Sequence, residues 1–213
     1  MTPNPFLTIW LSPRETIRRI VEWNPNYWVI ALACLAGIGQ AFDQASMKNI
    51  GDETPTALIF AIALVAGPLV GLLQLWIGYQ LIRWTGRWLG GMASREHLRT
   101  ALAWGYVPAV FALTLLIPEW LIAGPELFTK QTPHLNAHPG LLMFLKALGA
   151  VGGMLGIWSI VTTCHTVAEV QGYRSAWRGL ANLLLPFTLV IGLILVAILI
   201  PLIIIKGGAA LFH

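Results

Sequence analysis

Apolar residues gather into five long runs, at about 27–45, 56–82, 101–122, 141–163 and 180–205. Each approaches or exceeds the roughly 20 residues a helix needs to cross a hydrocarbon core. The runs are continuous and lack the roughly ten-residue alternation of a membrane barrel. Backbone groups at membrane depth must be satisfied internally, so the pattern predicts helices. The expected fold is all-α: a polytopic membrane protein with five transmembrane helices at 25–213, preceded by an interfacial amphipathic segment at 1–24.

Local signals sharpen these boundaries. Ser12, Pro13 and Glu15 read as a capping box with proline at the first helical position. The helix it opens has Ile17, Ile20 and Val21 on one face and Arg14, Arg18, Arg19 and Glu22 around the rest. Phe6, Ile9 and Trp10 repeat the spacing upstream. Such a helix is expected in the cytoplasmic head-group region, with partner binding as the alternative. Asn24-Pro25, Thr54-Pro55 and His138-Pro139 are read as the starts of the first, second and fourth spans. Interleaved Arg83, Trp84, Arg87 and Trp88 suit a membrane interface, and Leu89-Gly90-Gly91 ends that helix. Residues 94–100 read as an amphipathic lead-in to the third span. Pro108 should kink that span, which is expected to close near Pro118. The connection 118–140, with Pro118, Pro125, Pro133 and Pro139, is expected to be an ordered but irregular surface loop. The last span carries Pro186 and Pro201. No internal repeat suggests a duplicated transporter.

Composition removes the soluble alternatives. The chain is 57% hydrophobic and 10% charged, with a mean hydropathy of +0.73, too few charges to cover a water-facing domain. The basic residues then orient it. Nine arginines (14, 18, 19, 83, 87, 95, 99, 174 and 178) precede the first run or lie in the second and fourth connections. Lys48, Lys130 and Lys206 lie on the other side, and Lys146 just inside the fourth run. This bias places the N-terminus in the cytoplasm and the C-terminus outside. It also accounts for the net charge of +4, so no nucleic-acid partner is implied. Cys34 and Cys164 sit in or beside different apolar runs and read as small apolar residues. No cleavable signal peptide is expected.

Candidate chemistry is thin. No metalloprotease, serine-hydrolase, phosphate-loop or paired-cysteine motif occurs, so no catalytic residue, metal or cofactor is expected. Polar candidates for transport are Gln40 and Asp43 in the first span, Gln74 in the second, and the helical pair His165 and Glu169. Glu169 is expected to pair with an arginine such as Arg83, Arg87 or Arg174. Arg14, Arg18, Arg19, Arg83, Arg87, Arg95 and Arg99 form the candidate cytoplasmic face for anionic lipid head groups or a protein partner. Small residues four apart mark helix contacts: Ala33, Gly37, Ala41 and Ala45 in the first span, Gly67 and Gly71 in the second, and Gly149 and Gly153 with Gly152 and Gly156 in the fourth. Packing within one bundle and a seam between copies or partners need the same surface, and both readings stay open.

Several segments, in this order, resemble bacterial members of the YIP family, the Ypt/Rab-GTPase-interacting proteins. They are Asn4-Pro5-Phe6 through Ser12-Pro13-Arg14, a Gly67-Pro68 helix entry, Leu89-Gly90-Gly91, Ala101-Leu102-Ala103-Trp104 leading to Pro108, and Glu169 to Tyr173. The resemblance implies a five-helix bundle in the bacterial inner membrane with a cytoplasmic N-terminus. Eukaryotic relatives are associated with Rab-type GTPases, self-association and vesicle traffic. This chain lacks their long polar N-terminal region and its acidic Tyr-Gly-Pro-type motif, so no residue is carried over for GTPase binding. The expected role is non-enzymatic: organising membrane proteins or lipids through helix packing and the basic face. The alternative is a small transporter, channel or lipid-moving protein.

Overall fold

The structure, a computed structural model, describes residues 4–209, without the side chains of Ile198 and of 200–209. The expectations for Pro201, Lys206 and the C-terminus lie outside the described residues. Two short helices, α1 (Pro5–Thr8) and α2 (Pro13–Trp23), precede α3 (Val29–Met47) and α4 (Thr56–Trp88). Then come α5 (Arg95–Gly105), α6 (Val107–Ala112) and α7 (Leu116–Ala123), pieces of one crossing. A short α8 (Pro133–Ala137) leads to α9 (Pro139–Val170), and α10 (Ala176–Ala209) follows. No strand occurs among the described residues. Five segments are long and apolar enough to cross a membrane, as the apolar runs predict: Val29–Met47, Thr56–Trp88, Arg95–Phe128, Pro139–Val170 and Ala176–Ala197. At 33 and 32 residues, α4 and α9 exceed what a crossing requires and extend beyond the hydrocarbon.

The ends of the elements follow from local chemistry, with several corrections to the sequence reading. The Ser12 side chain makes no cap bond, so the capping box does not form, although α2 does start at Pro13. Asn24-Pro25 is not the first turn of the first span. Asn24 closes α2, and its Oδ1 accepts from the Asn26 N–H at 3.0 Å, making the turn that leads to α3. Pro68 lies inside α4 rather than at its entry. The Ser94 hydroxyl accepts from the His97 N–H at 3.1 Å, so the lead-in and the first half of the third span are one helix.

The third span breaks where Pro108 requires it. α5 stops at Gly105, and α6 begins with Pro108 in its first turn. Hydroxyls of α9 meet the carbonyls of this broken stretch. Ser159 donates to Gly105 O at 3.0 Å and Thr166 to Ala101 O at 2.8 Å. Polar side chains thus join helices where lipid offers no hydrogen bonds.

Pro118 does not close the span. It falls in the first turn of α7, where no N–H is needed, and the helix runs to Ala123. The connection beyond is not irregular but built from short helical turns, 3₁₀ over Gly124–Phe128 and then α8. The Glu126 carboxylate caps α8 by accepting from the His134 and Leu135 N–H groups at 2.8 and 3.0 Å. Phe128, fully buried, packs with Phe42, Phe60 and Trp120 in a small aromatic core at this end. Proline-rich sequence signals turns, but the anchoring comes from residues far away in the chain.

The first two spans pack through glycine. A side chain at Gly37 would run into the Gly67 carbonyl and the Gly71 backbone, and one at Gly71 into the Ala33 carbonyl. The Ala33–Gly37 and Gly67–Gly71 pairs are therefore one seam within the chain. On α9 the stripe is different. Nothing lies within 4 Å of where side chains at Gly149, Gly153 or Gly156 would begin.

Candidate functional site

The nine arginines gather at one end of the bundle. α4 and α9 both stop there in the same way. Gly90 and Gly172 take positive φ, and Gly91 N–H reaches Gly86 O at 2.8 Å while Tyr173 N–H reaches Ala168 O at 2.8 Å. The two ends then lock together. The Tyr173 hydroxyl donates to Gly86 O at 3.1 Å, and Ala93 N–H donates to Gln171 Oε1 at 3.1 Å. Burial pushes the Tyr173 phenol up, which keeps it a donor. Thr85 donates to Asn182 Oδ1 at 2.9 Å, tying in α10. The buried amide nitrogens of Gln171 and Asn182 converge where a Gly86 side chain would be. Sequence reading missed Thr85, Gln171 and Asn182, since polar residues flanking apolar runs look like ordinary interface residues.

The amphipathic helix α2 is docked on this knot. Its periodicity suits the head-group surface, but its apolar face packs against the bundle. Thr16, Ile17 and Ile20 are buried in a core with Leu98, Trp104 and Val167. Periodicity identifies an apolar face without naming what covers it. Glu169 at the end of α9 fastens the polar face, with Arg18 at 2.6 Å and Arg14 at 3.8 Å. Its partners are thus arginines of α2, and not Arg83, Arg87 or Arg174. His165 is not bonded to Glu169 and lies in a neighbouring groove.

The remaining candidates of the basic face divide. Arg19 pairs with Glu15 at 3.6 Å, and Arg99 bonds Asn26 in the turn before α3. Arg83, Arg87 and Arg95 make no ion pair among the described residues. Pairing with Glu169 holds the Arg18 guanidinium above its ordinary, already high range. A raised pKa gives stabilisation that is fully present below the ordinary value and lost only as pH rises through the raised one. On the arginine side, the clamp therefore persists through the neutral and alkaline range. Glu169→Gln should loosen α2 without freeing it, since Ile17 and Ile20 stay buried against the bundle. Amide exchange across 13–23 should accelerate while exchange in α3 and α4 stays unchanged, and equal protection in both proteins would sink this clamp.

Within the spans, Gln40 and Gln74 are brought together. They share a groove of about 350 Å³ with Gln44, Gly37 and Gly67, on the open side of the α3–α4 seam. All three glutamine side chains are exposed and make no hydrogen bond among the described residues. Asp43 lies apart from them. It lines a cleft of about 360 Å³ with Glu119 of α7 and the glycines Gly149, Gly152, Gly153 and Gly156 of α9. Lys146 lines an adjoining recess with Asp43 and Glu119. Glu119 was not singled out from sequence, although an acid following Pro118 at the edge of an apolar run was a visible signal. Among the described residues no three His, Cys, Asp or Glu side chains could share a metal ion.

The stop of α4, the broken third span and the segment before α10 thus form one interlocked arrangement spread over most of the chain. A model of the Yip1 domain matches residues 7–199. The chain belongs to the Yip1 family. Searches among curated proteins and solved structures give no match. The Yip1 match runs from the N-terminal helices to the fifth span, so α2 and its docking site both fall within the family domain. This Yip1-family chain is a multi-pass membrane protein.

Proposed function

We propose that this protein is a non-enzymatic membrane organiser that docks another transmembrane helix against its α3–α4 face. The supporting observation is the trio Gln40, Gln44 and Gln74, whose amides face outward beside a glycine seam with no partner among the described residues. An amide in hydrocarbon without a hydrogen bond is costly, and interhelical glutamine bonds are a common remedy. A glutamine donates and accepts, so a second copy of this chain or a different helix could complete the set. In this reading the arginine-rich end faces the cytoplasm, following the positive-inside rule, with the N-terminus on that side of a bacterial inner membrane.

Cross-linking in membranes tests it. In a chain with Cys34 and Cys164 replaced, a single cysteine at Ala66, which lines the groove, should be captured in a specific adduct. Gln40→Leu with Gln74→Leu should lower the yield severalfold, since each interhelical bond contributes about 0.6 kcal/mol. No adduct, or one indifferent to both glutamines, would remove the basis of the proposal.

A transport role is the second reading, favoured by Asp43 and Glu119 on one cleft lined by glycine backbone. In liposomes it requires a flux of ions, small solutes or labelled lipid that falls in Asp43→Asn and Glu119→Gln. Background leak in all three proteins would count against it.

A further inference from the structure

Between the end of α9 and the start of α10 a groove of about 740 Å³ opens at the arginine-rich end. Arg14, His165, Arg174 and Ser175 line its polar end, and Ile160, Val161 and Leu180 form an open apolar wall. Ile160 lies roughly 7 Å further along α9 than His165, toward the bilayer. Trp177 also lines it and is 78% exposed, as an indole at head-group depth would be.

The charges at the polar end are unequal in their commitments. Arg14 Nη1 donates to Tyr173 O at 3.2 Å and lies 3.8 Å from Glu169. The closer partner of Glu169 is Arg18, at 2.6 Å, which leaves Arg14 only partly neutralised. Arg174 is exposed and forms no ion pair among the described residues. The groove therefore has a cationic end and an apolar wall, the polarity of an amphiphile with an anionic head.

We infer that this groove holds an anionic phospholipid, with its phosphate between Arg174 and Arg14 and an acyl chain along Ile160, Val161 and Leu180. A soluble phosphate compound would leave the apolar wall uncovered. A zwitterionic lipid would bring an ammonium group up to the arginines. The site is separate from the α3–α4 face, so it stands or falls independently of helix docking there.

Native mass spectrometry of the full-length, delipidated protein tests the inference, with phosphatidylglycerol and phosphatidylcholine of matched acyl chains titrated in. Phosphatidylglycerol should bind in preference. Arg174→Gln should weaken it about fivefold, the attraction of one surface arginine for anionic lipid, and leave phosphatidylcholine unchanged. Because Arg174 makes no bond within the described residues, this variant should keep the thermal stability of the parent. Leu180→Trp, which fills the apolar end, should weaken phosphatidylglycerol even with both arginines present. Three results would overturn the inference: equal binding of the two lipids, an equal loss in Arg87→Gln, which lies outside the groove, or displacement of the lipid by millimolar inorganic phosphate.

Discussion

Trp104→Ala should destabilise the protein by about 3–5 kcal/mol, the usual range for emptying a buried tryptophan site. Trp104 is fully buried at the centre of the arginine-rich end. Its ring meets Phe6 at 4.8 Å between centroids and stacks on Tyr27 at 5.9 Å, and its indole N–H donates to Tyr27 O at 2.9 Å. One side chain thus joins the N-terminal segment, the turn before α3, and the third span. Its loss should be read twice. Thermal unfolding in detergent should shift down, and amide exchange in residues 4–28 should rise well before the spans open. Trp104→Phe should restore most of the packing but leave the Tyr27 carbonyl without its donor, a cost of about 1–3 kcal/mol. A loss within 1 kcal/mol for the alanine variant would mean that the N-terminal segment is not anchored on this residue.

The second large effect separates two glycine stripes that look alike. Gly37→Leu should split the α3–α4 seam, because the new side chain would meet the Gly67 carbonyl and the Gly71 backbone. Overpacking typically costs 1–3 kcal/mol, and about 3 kcal/mol or more is expected where the obstacle is backbone that cannot rotate away. Gly153→Leu should be tolerated, since no atom lies within 4 Å of the new Cβ, and leucine favours the helix over glycine. The two variants are compared by thermal unfolding in the same detergent. Equal stability would contradict the seam as described.

The glycine contrast shows where sequence reading stopped. Spacing of four marks Gly37, Gly67, Gly71, Gly149 and Gly153 equally, because each stripe lets a backbone approach. Spacing holds no information about which stripe finds a partner within the chain. The same limit applies to α2, whose periodicity exposed an apolar face but left open whether lipid or protein covers it. Glu169 was recognised as an acid in need of an arginine. Its partners are about 150 residues away in sequence, at Arg14 and Arg18, and no local rule reaches that far. Asp43 was visible, yet its neighbour Glu119 became relevant only once the fold put both on one cleft.

Helix number, class, the kink at Pro108 and the segregation of arginine from lysine are all set by the sequence alone. They depend on terms local to a segment: apolar length against bilayer thickness, the N–H that proline lacks, and the charge near each span end. Only the tertiary structure decided which surfaces are used up. The Ala33–Gly37 and Gly67–Gly71 seam is consumed within the chain, as are the apolar face of α2 and Glu169. The glutamines of the α3–α4 groove and Arg174 are left facing outward, and the glycines of α9 line an open cleft. The physical reason is that residues distant in sequence compete for the same partners, and that competition is settled only when the helices meet.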